Sequence, residues 1–185
     1  MPVAVDIDLR QLAGIRQRLD AITEPALKQL ALERAGAWML KSTSDTFQAS
    51  GRPVKWEALS PVTIANRRAG GRDARPLMDT GRLAASVSPQ RGQDSVYRLT
   101  PDALEIGTAR QFAHVHQFGA TIHPRQSEYL SVPFGGRRLR LREVRIPARP
   151  FLQFLPSDVS AIERILQRTL EGTLAGPGDF PMGAN

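Results

Sequence analysis

The residues best able to do chemistry are few and scattered. Asp79-Thr80-Gly81 has the tripeptide of an aspartic-protease loop. That chemistry needs two carboxylates in one site, with the aspartate placed after an apolar strand. Pro76-Leu77-Met78 is too short for such a strand, so Asp79 reads as the N-cap of a short helix. Met78 and Leu83 would staple its first turn. The three histidines are His114, His116 and His123. Zinc would need a further ligand, and no carboxylate lies close by in sequence. If residues 112–118 are helical, His114 and His116 point to different sides. A packing contact is therefore expected, with no metal and no cofactor. No serine sits in a nucleophile elbow, and no glycine-rich loop opens a helix to hold phosphate. Cysteine is absent, which excludes disulfides and thiolate chemistry and suits synthesis in a reducing cytoplasm. Nothing in these residues requires an enzyme.

Arginine is the abundant functional group. The formal charge is +7, and Lys28, Lys41 and Lys55 are the only lysines. Two clusters stand out: Arg67, Arg68 and Arg72 in a glycine-containing stretch, and Arg137, Arg138, Arg140 and Arg142 further on. Arginine pairs bidentately with carboxylates and phosphates, so both clusters are candidates for facing a protein partner or DNA. No aromatic residue is interleaved with them, which leaves base stacking unsupported. A solvated strand face or an ionic subunit contact is the simpler expectation.

The elements that must position these groups follow from periodicity. Leu9, Leu12, Ile15, Leu19 and Ile22 form one helical stripe. Thr23 offers a cap for a second helix from about Pro25 to about Phe47, with Leu27, Leu30, Ala31, Ala35, Trp38 and Met39 as its main stripe. Leu32, Gly36 and Leu40 make a thinner second line. Two apolar faces imply two neighbours, one of them the core. The other is a second subunit or a further part of the same chain, so Leu32 and Leu40 are candidate interface residues. After Ser50-Gly51-Arg52-Pro53 breaks this helix, Ser60 caps a short one starting at Pro61, with Leu59 and Ile64 as its staple. Residues 66–75 read as a mobile basic loop.

Beyond residue 90 the period becomes two. Residues 95–107 read as a hairpin turning at Thr100-Pro101-Asp102-Ala103. A second hairpin joins Tyr129–Phe134 to Arg137–Ile146 through Gly135-Gly136, and a phase break near Arg142 suggests a bulge. Ser157 should cap a last helix with the stripe Val159, Ile162, Ile165, Leu166 and Leu170. The expected class is α+β: an antiparallel sheet, partly barrel-like, flanked by N-terminal helices and a C-terminal helix. At 185 residues the chain can bury a real core. Residues 1–175 are expected to form one domain, with helices in 1–50, short helices and a loop in 51–90, the sheet in 91–152 and a helix in 155–173. Residues 176–185, rich in glycine and proline, form a flexible tail. No apolar run approaches the roughly 20 residues of a membrane span, and residues 1–8 lack a signal-peptide pattern.

Several segments, in order and spacing, resemble the virion-morphogenesis (tail completion) family of tailed, Mu-like bacteriophages. They are Trp56-Glu57-Ala58-Leu59-Ser60-Pro61-Val62-Thr63, Pro76-Leu77-Met78-Asp79-Thr80-Gly81-Arg82-Leu83 with Ser86-Val87, and Ile106-Gly107-Thr108. His116-Gln117-Phe118-Gly119 and Ile146-Pro147-Ala148-Arg149-Pro150-Phe151-Leu152 complete the set. The resemblance implies structural motif roles for Trp56, Ser60, Asp79, Gly81, Gly107, His116, Phe118, Gly119, Pro147, Arg149, Pro150 and Phe151, with no catalytic residue. It implies a neck or tail-end protein that closes the tail and joins it to the head, made in the host cytoplasm and carried in the virion. The partners implied are further copies in a ring, often sixfold, other neck, connector and tail proteins, and the passing double-stranded DNA. The alternative from another class is a basic nucleic-acid-binding module of phage or bacterial origin.

Overall fold

The computed structural model of the chain describes residues 9–134 and 136–171. Six helices and six short strands follow in the order α1 Leu9–Ala21, α2 Pro25–Gln48, α3 Pro61–Ala69, α4 Arg82–Ser86, β1 Ser95–Leu99, β2 Leu104–Thr108, α5 Ala113–Phe118, β3 Ala120–Ile122, β4 Leu130–Phe134, β5 Arg137–Leu141, β6 Val144–Ile146 and α6 Pro156–Leu170. The class is α+β, as the change of period indicates. The strands pair as three two-stranded ribbons, β1–β2, β3–β6 and β4–β5, and no closure into a barrel is seen among the described residues. The expected tail 176–185 and Gly135 lie outside the described residues.

Two compact units make up the described chain. One is built from Leu40–Tyr97 and Ile106–Gln153, the other from residues 9–39, Arg98–Glu105 and 154–171. In the second unit α1 packs against α6. Ile162 and Leu166 of the predicted stripe are buried, with Ala161 and Thr169 beside them. Each such aliphatic side chain contributes about 2 kcal/mol when fully buried. The cap of α6 is not Ser157, which lies within the helix. Leu155 is the cap residue and Pro156 takes the first helical position. Asp158, only 2% exposed, reaches back so that its Oδ2 accepts from Leu155 N at 2.9 Å. Its Oδ1 accepts from Trp38 Nε1 at 3.1 Å. One carboxylate thus ties the start of α6 to α2.

The first unit has an aromatic centre. Phe47 meets the Trp56 ring edge-on at 5.5 Å and the Phe151 ring at 5.5 Å. Val87, Ala113 and Leu152 close the cluster, and Leu77, Met78, Leu83 and Ala84 pack on it. The predicted break after α2 is a tight reversal in which Trp56 N donates to Ser50 O at 2.8 Å. Gly51 makes it possible: at φ +111° a Cβ there would lie 2.5 Å from Trp56 N. Arg52 fastens the turn to α2, donating to Ser42 O and Oγ, both at 2.7 Å, and to Thr46 Oγ1 at 3.2 Å.

The phase break near Arg142 is real but is not a bulge. β5 pairs with β4 in the register Leu130↔Leu141 to Phe134↔Arg137. After Arg142-Glu143 the chain changes partner, and β6 pairs with β3 from Ala120↔Ile146 to Ile122↔Val144. The alternation fails there because two successive strands answer to two different ladders.

Candidate functional site

Two motif segments far apart in sequence, 56–63 and 116–119, converge on the turn at residues 149–152, which belongs to a third. Trp56 Nε1 donates to Pro150 O at 3.0 Å. Arg149 Nε and Nη2 donate to Glu57 O at 3.2 and 3.0 Å, while Arg149 N donates to His116 O at 2.7 Å. Gln117 grips the same turn through both ends of its amide. Pro147 and Pro150 hold this stretch extended, which keeps its backbone groups available to these partners.

Beside this knot lies a cavity of about 400 Å³. Arg67, Arg110, Arg149, Asp79 and His116 supply its charged and titratable lining, and Phe112, 65% exposed, stands at its edge. Arg149 is 6% exposed, and no carboxylate forms an ion pair with it among the described residues. Burial pushes its pKa below the ordinary arginine value, with Glu57 opposing the shift and Arg67 adding to it. Burial also holds His116 below the usual imidazole value, helped by the charges of Arg149 and Arg67, so the ring favours its neutral form.

Asp79 is not a helix cap. Gly81, in the left-handed region at φ +69°, is the cap residue of α4, and no side chain bonds the end of that helix. Asp79 turns toward α3 and the loop after it. Its Oδ2 accepts from Arg72 Nη1 at 3.2 Å. Its Oδ1 lies 3.2 Å from Arg72 Nη1 and 3.6 Å from Arg67 Nε without well-formed hydrogen-bond geometry. Buried Asp79 Oδ1 and His116 Nδ1 therefore both lack a hydrogen-bond partner. The acid is drawn away from the helix because an arginine pair outbids a backbone amide for a carboxylate.

The chain matches the phage virion morphogenesis family over residues 7–171. It belongs to that family. It is also 26% identical to the Mu-like prophage FluMu G protein 2 of Haemophilus influenzae over 164 residues, which cover 88% of this chain and 94% of that protein. No solved structure matches it.

In this family member the remaining candidate residues are distributed as follows. Ser60 caps α3, its Oγ accepting from Thr63 N at 3.2 Å. The basic stretch 66–75 is helical to Ala69 and then laced down rather than loose. Arg67 Nη1 donates to the carbonyls of Asp73 and Arg75, at 3.3 and 3.0 Å, so Arg67 faces inward instead of offering itself to phosphate. Arg72 is engaged by Asp79, whereas Arg68 is exposed. Leu32 and Leu40 are buried at 8% and 2% exposure, so the second apolar line on α2 is covered within the chain and offers no open subunit face. Gly107 is buried, and Phe118 is 57% exposed. Gly119 sits at φ +75° where a Cβ would lie 2.9 Å from Ala148 N.

Arg137, Arg138, Arg140 and Arg142 are all exposed on or just after β5. Arg138 Nε donates to Ser131 Oγ at 2.7 Å, and Arg142 lies 5.9 Å from the Tyr129 ring. None of the four has an ion-pair partner among the described residues. Residues 123–149 contain seven arginines and two glutamates, so a net +5 of the chain's +7 arises there. Sequence reasoning passed over Gln117, Arg52, Arg110 and Asp158. The signal for Gln117 was its place inside the His116–Gly119 motif; Arg52 acts through Ser42 and Thr46 on the helix before it, Arg110 through Asp94, and Asp158 through the distant Trp38.

Proposed function

We propose that this chain is a non-catalytic structural component of a tailed-phage virion that completes the tail and joins it to the head. Membership of the phage virion morphogenesis family over residues 7–171 is the observation that carries this reading. The β4–β5 ribbon supports it by presenting unneutralised arginines, a surface suited to acidic neighbours. Such a component acts as a ring, often sixfold, in which each copy uses one face against a different face of the next. Its neighbours are neck, connector and tail proteins, and its place is the head–tail junction of the particle. No helix among the described residues is long and apolar enough to cross a membrane.

The test is electron microscopy of lysates from phage carrying a stop codon in this gene. Filled heads beside separate tails of normal length are expected. Tails of irregular length would move the role to tail termination, and intact infectious particles would overturn the reading. A second reading, a nucleic-acid-binding module, is favoured by the net +5 of residues 123–149. DNA binding that falls steeply with salt would support it.

A further inference from the structure

A buried cation with no carboxylate in ion-pair contact is an unusual thing for a folded chain to keep. Arg149 is such a group: its guanidinium bonds the Glu57 carbonyl, the Glu57 carboxylate acts on it without an ion-pair contact, and it lines a cavity with Arg67, beside Asp79, and Arg110, paired to Asp94 at 2.7 Å. Leaving a charge buried and unpaired is costly, and a carboxylate arriving from outside would relieve it. Asp79 is the single acidic side chain in the lining, and Arg72 already engages it. Of the three arginines in the lining, Arg149 is thus the one without an ion pair among the described residues.

Its two orphaned atoms narrow the occupant further. Asp79 Oδ1 accepts hydrogen bonds and has no donor, while His116 Nδ1 has no partner at all. A free inorganic anion brings chiefly acceptors and offers little to Asp79. A peptide brings a carboxylate for Arg149 and, where the wall shifts to uncover these buried atoms, an N–H for Asp79 and a carbonyl for His116 in its Nδ1–H tautomer. Phe112, largely exposed at the edge, is the kind of aromatic surface against which an adjacent apolar side chain packs.

We propose that this cavity is a docking site for an acidic residue, next to an apolar one, on a neighbouring protein chain of the assembly. The inference rests on the assembly reading and adds the chemistry of the contact. It differs from the arginine ribbon, which is exposed and has no built recess.

The test is NMR of the full chain, following the Arg149 Nε–H and His116 ring resonances. The probes are acetyl-Leu-Asp-Leu-amide, the same peptide with Asn in place of Asp, and inorganic phosphate. The acidic peptide should shift both sets saturably, with the Asn peptide at least about tenfold weaker and phosphate without effect. Thr80→Trp, placed at an exposed lining position, should abolish the shifts while leaving the rest of the spectrum folded. No shift with the acidic peptide, or equal shifts from Asp and Asn peptides, would overturn the proposal. Shifts from phosphate as strong as from the peptide would overturn it too, leaving a simple anion site. The stop-codon experiment fails separately: particles that assemble without the chain discard the assembly role, whereas an unresponsive cavity in a phage that needs the chain discards only the docking site.

Discussion

The side-chain amide of Gln117 is bound at both ends by the turn that contains Leu152. Gln117 Nε2 donates to Leu152 O at 2.6 Å, and Oε1 accepts from Leu152 N at 3.1 Å and Phe151 N at 3.0 Å. A single buried amide thus stands in for the strand that would otherwise satisfy this backbone. Gln117→Leu should lower stability by about 2–4 kcal/mol, because it strands three buried backbone groups. Urea unfolding measures it; a loss below half a kcal/mol would mean water takes over the role.

Gly119 follows α5 with φ +75° and ψ 165°, a region that is essentially glycine's. An alanine Cβ would also sit 3.1 Å from Ile146 O and 2.9 Å from Ala148 N, both backbone atoms that cannot swing away. Gly119→Ala should cost about 1–3 kcal/mol and disturb the β3–β6 ladder. Thermal unfolding with amide exchange at Ala120 and Ile146 reads both effects.

Asp158 serves α6 and Trp38 at once. Asp158→Ala should destabilise by about 2 kcal/mol, and Asp158→Asn should keep part of this, since its single carbonyl oxygen can serve just one of the two donors well. Equal stability of the Ala and Asn variants would contradict the assignment.

His116 gives a pH signature. Its pKa in the fold lies below the model-peptide value of 6.5, so the unfolded chain binds the proton more readily. The stability this contributes is complete above about 6.5 and is lost as pH falls through that value toward the folded pKa. Denaturant midpoints of wild type and His116→Asn should therefore converge as pH is lowered from 7.5 to 5.5. A difference that is constant or grows would reverse the sign and refute the burial of a neutral ring.

Charge reversal at Arg138, Arg140 and Arg142 should leave the melting temperature nearly unchanged, because exposed surface charges contribute little to stability. Head–tail joining in a complementation assay should fall sharply. Full complementation would remove the ribbon from the contact surface.

The helices and hairpins were legible because each is a local pattern. Pro25, Ser60 and Pro61 mark helix starts in the chain as they do in the structure. What failed were choices between competing partners. Asp79 and Ser157 each had good capping credentials, yet Asp79 was claimed by Arg72 and the start of α6 by Asp158. No spacing rule sees an arginine seven residues back or a helix entry set by a proline. Residues 130–146 alternate well enough to be read as one hairpin, and the change of ladder at Arg142-Glu143 leaves only a phase slip in the sequence. Of the site, the motif segments were visible, but their convergence on 149–152 rests on Gln117 and Arg149, whose partners lie more than thirty residues away.

The uneven placement of charge also governs time. Asp73, Asp79, Asp94, Asp102 and Glu105 are each occupied by a nearby cation, so their fields largely cancel at a distance. Among the described residues, none of the arginines of residues 123–149 forms an ion pair. An approaching acidic body therefore meets a chain that pulls from one segment, and arrival is oriented before contact. Its encounter rate should drop as ionic strength rises and the screening length shrinks to about 8 Å near physiological salt. Once seated, the chain should leave at a rate that salt alters far less, so ionic strength sets how fast the particle is finished more than how long it lasts.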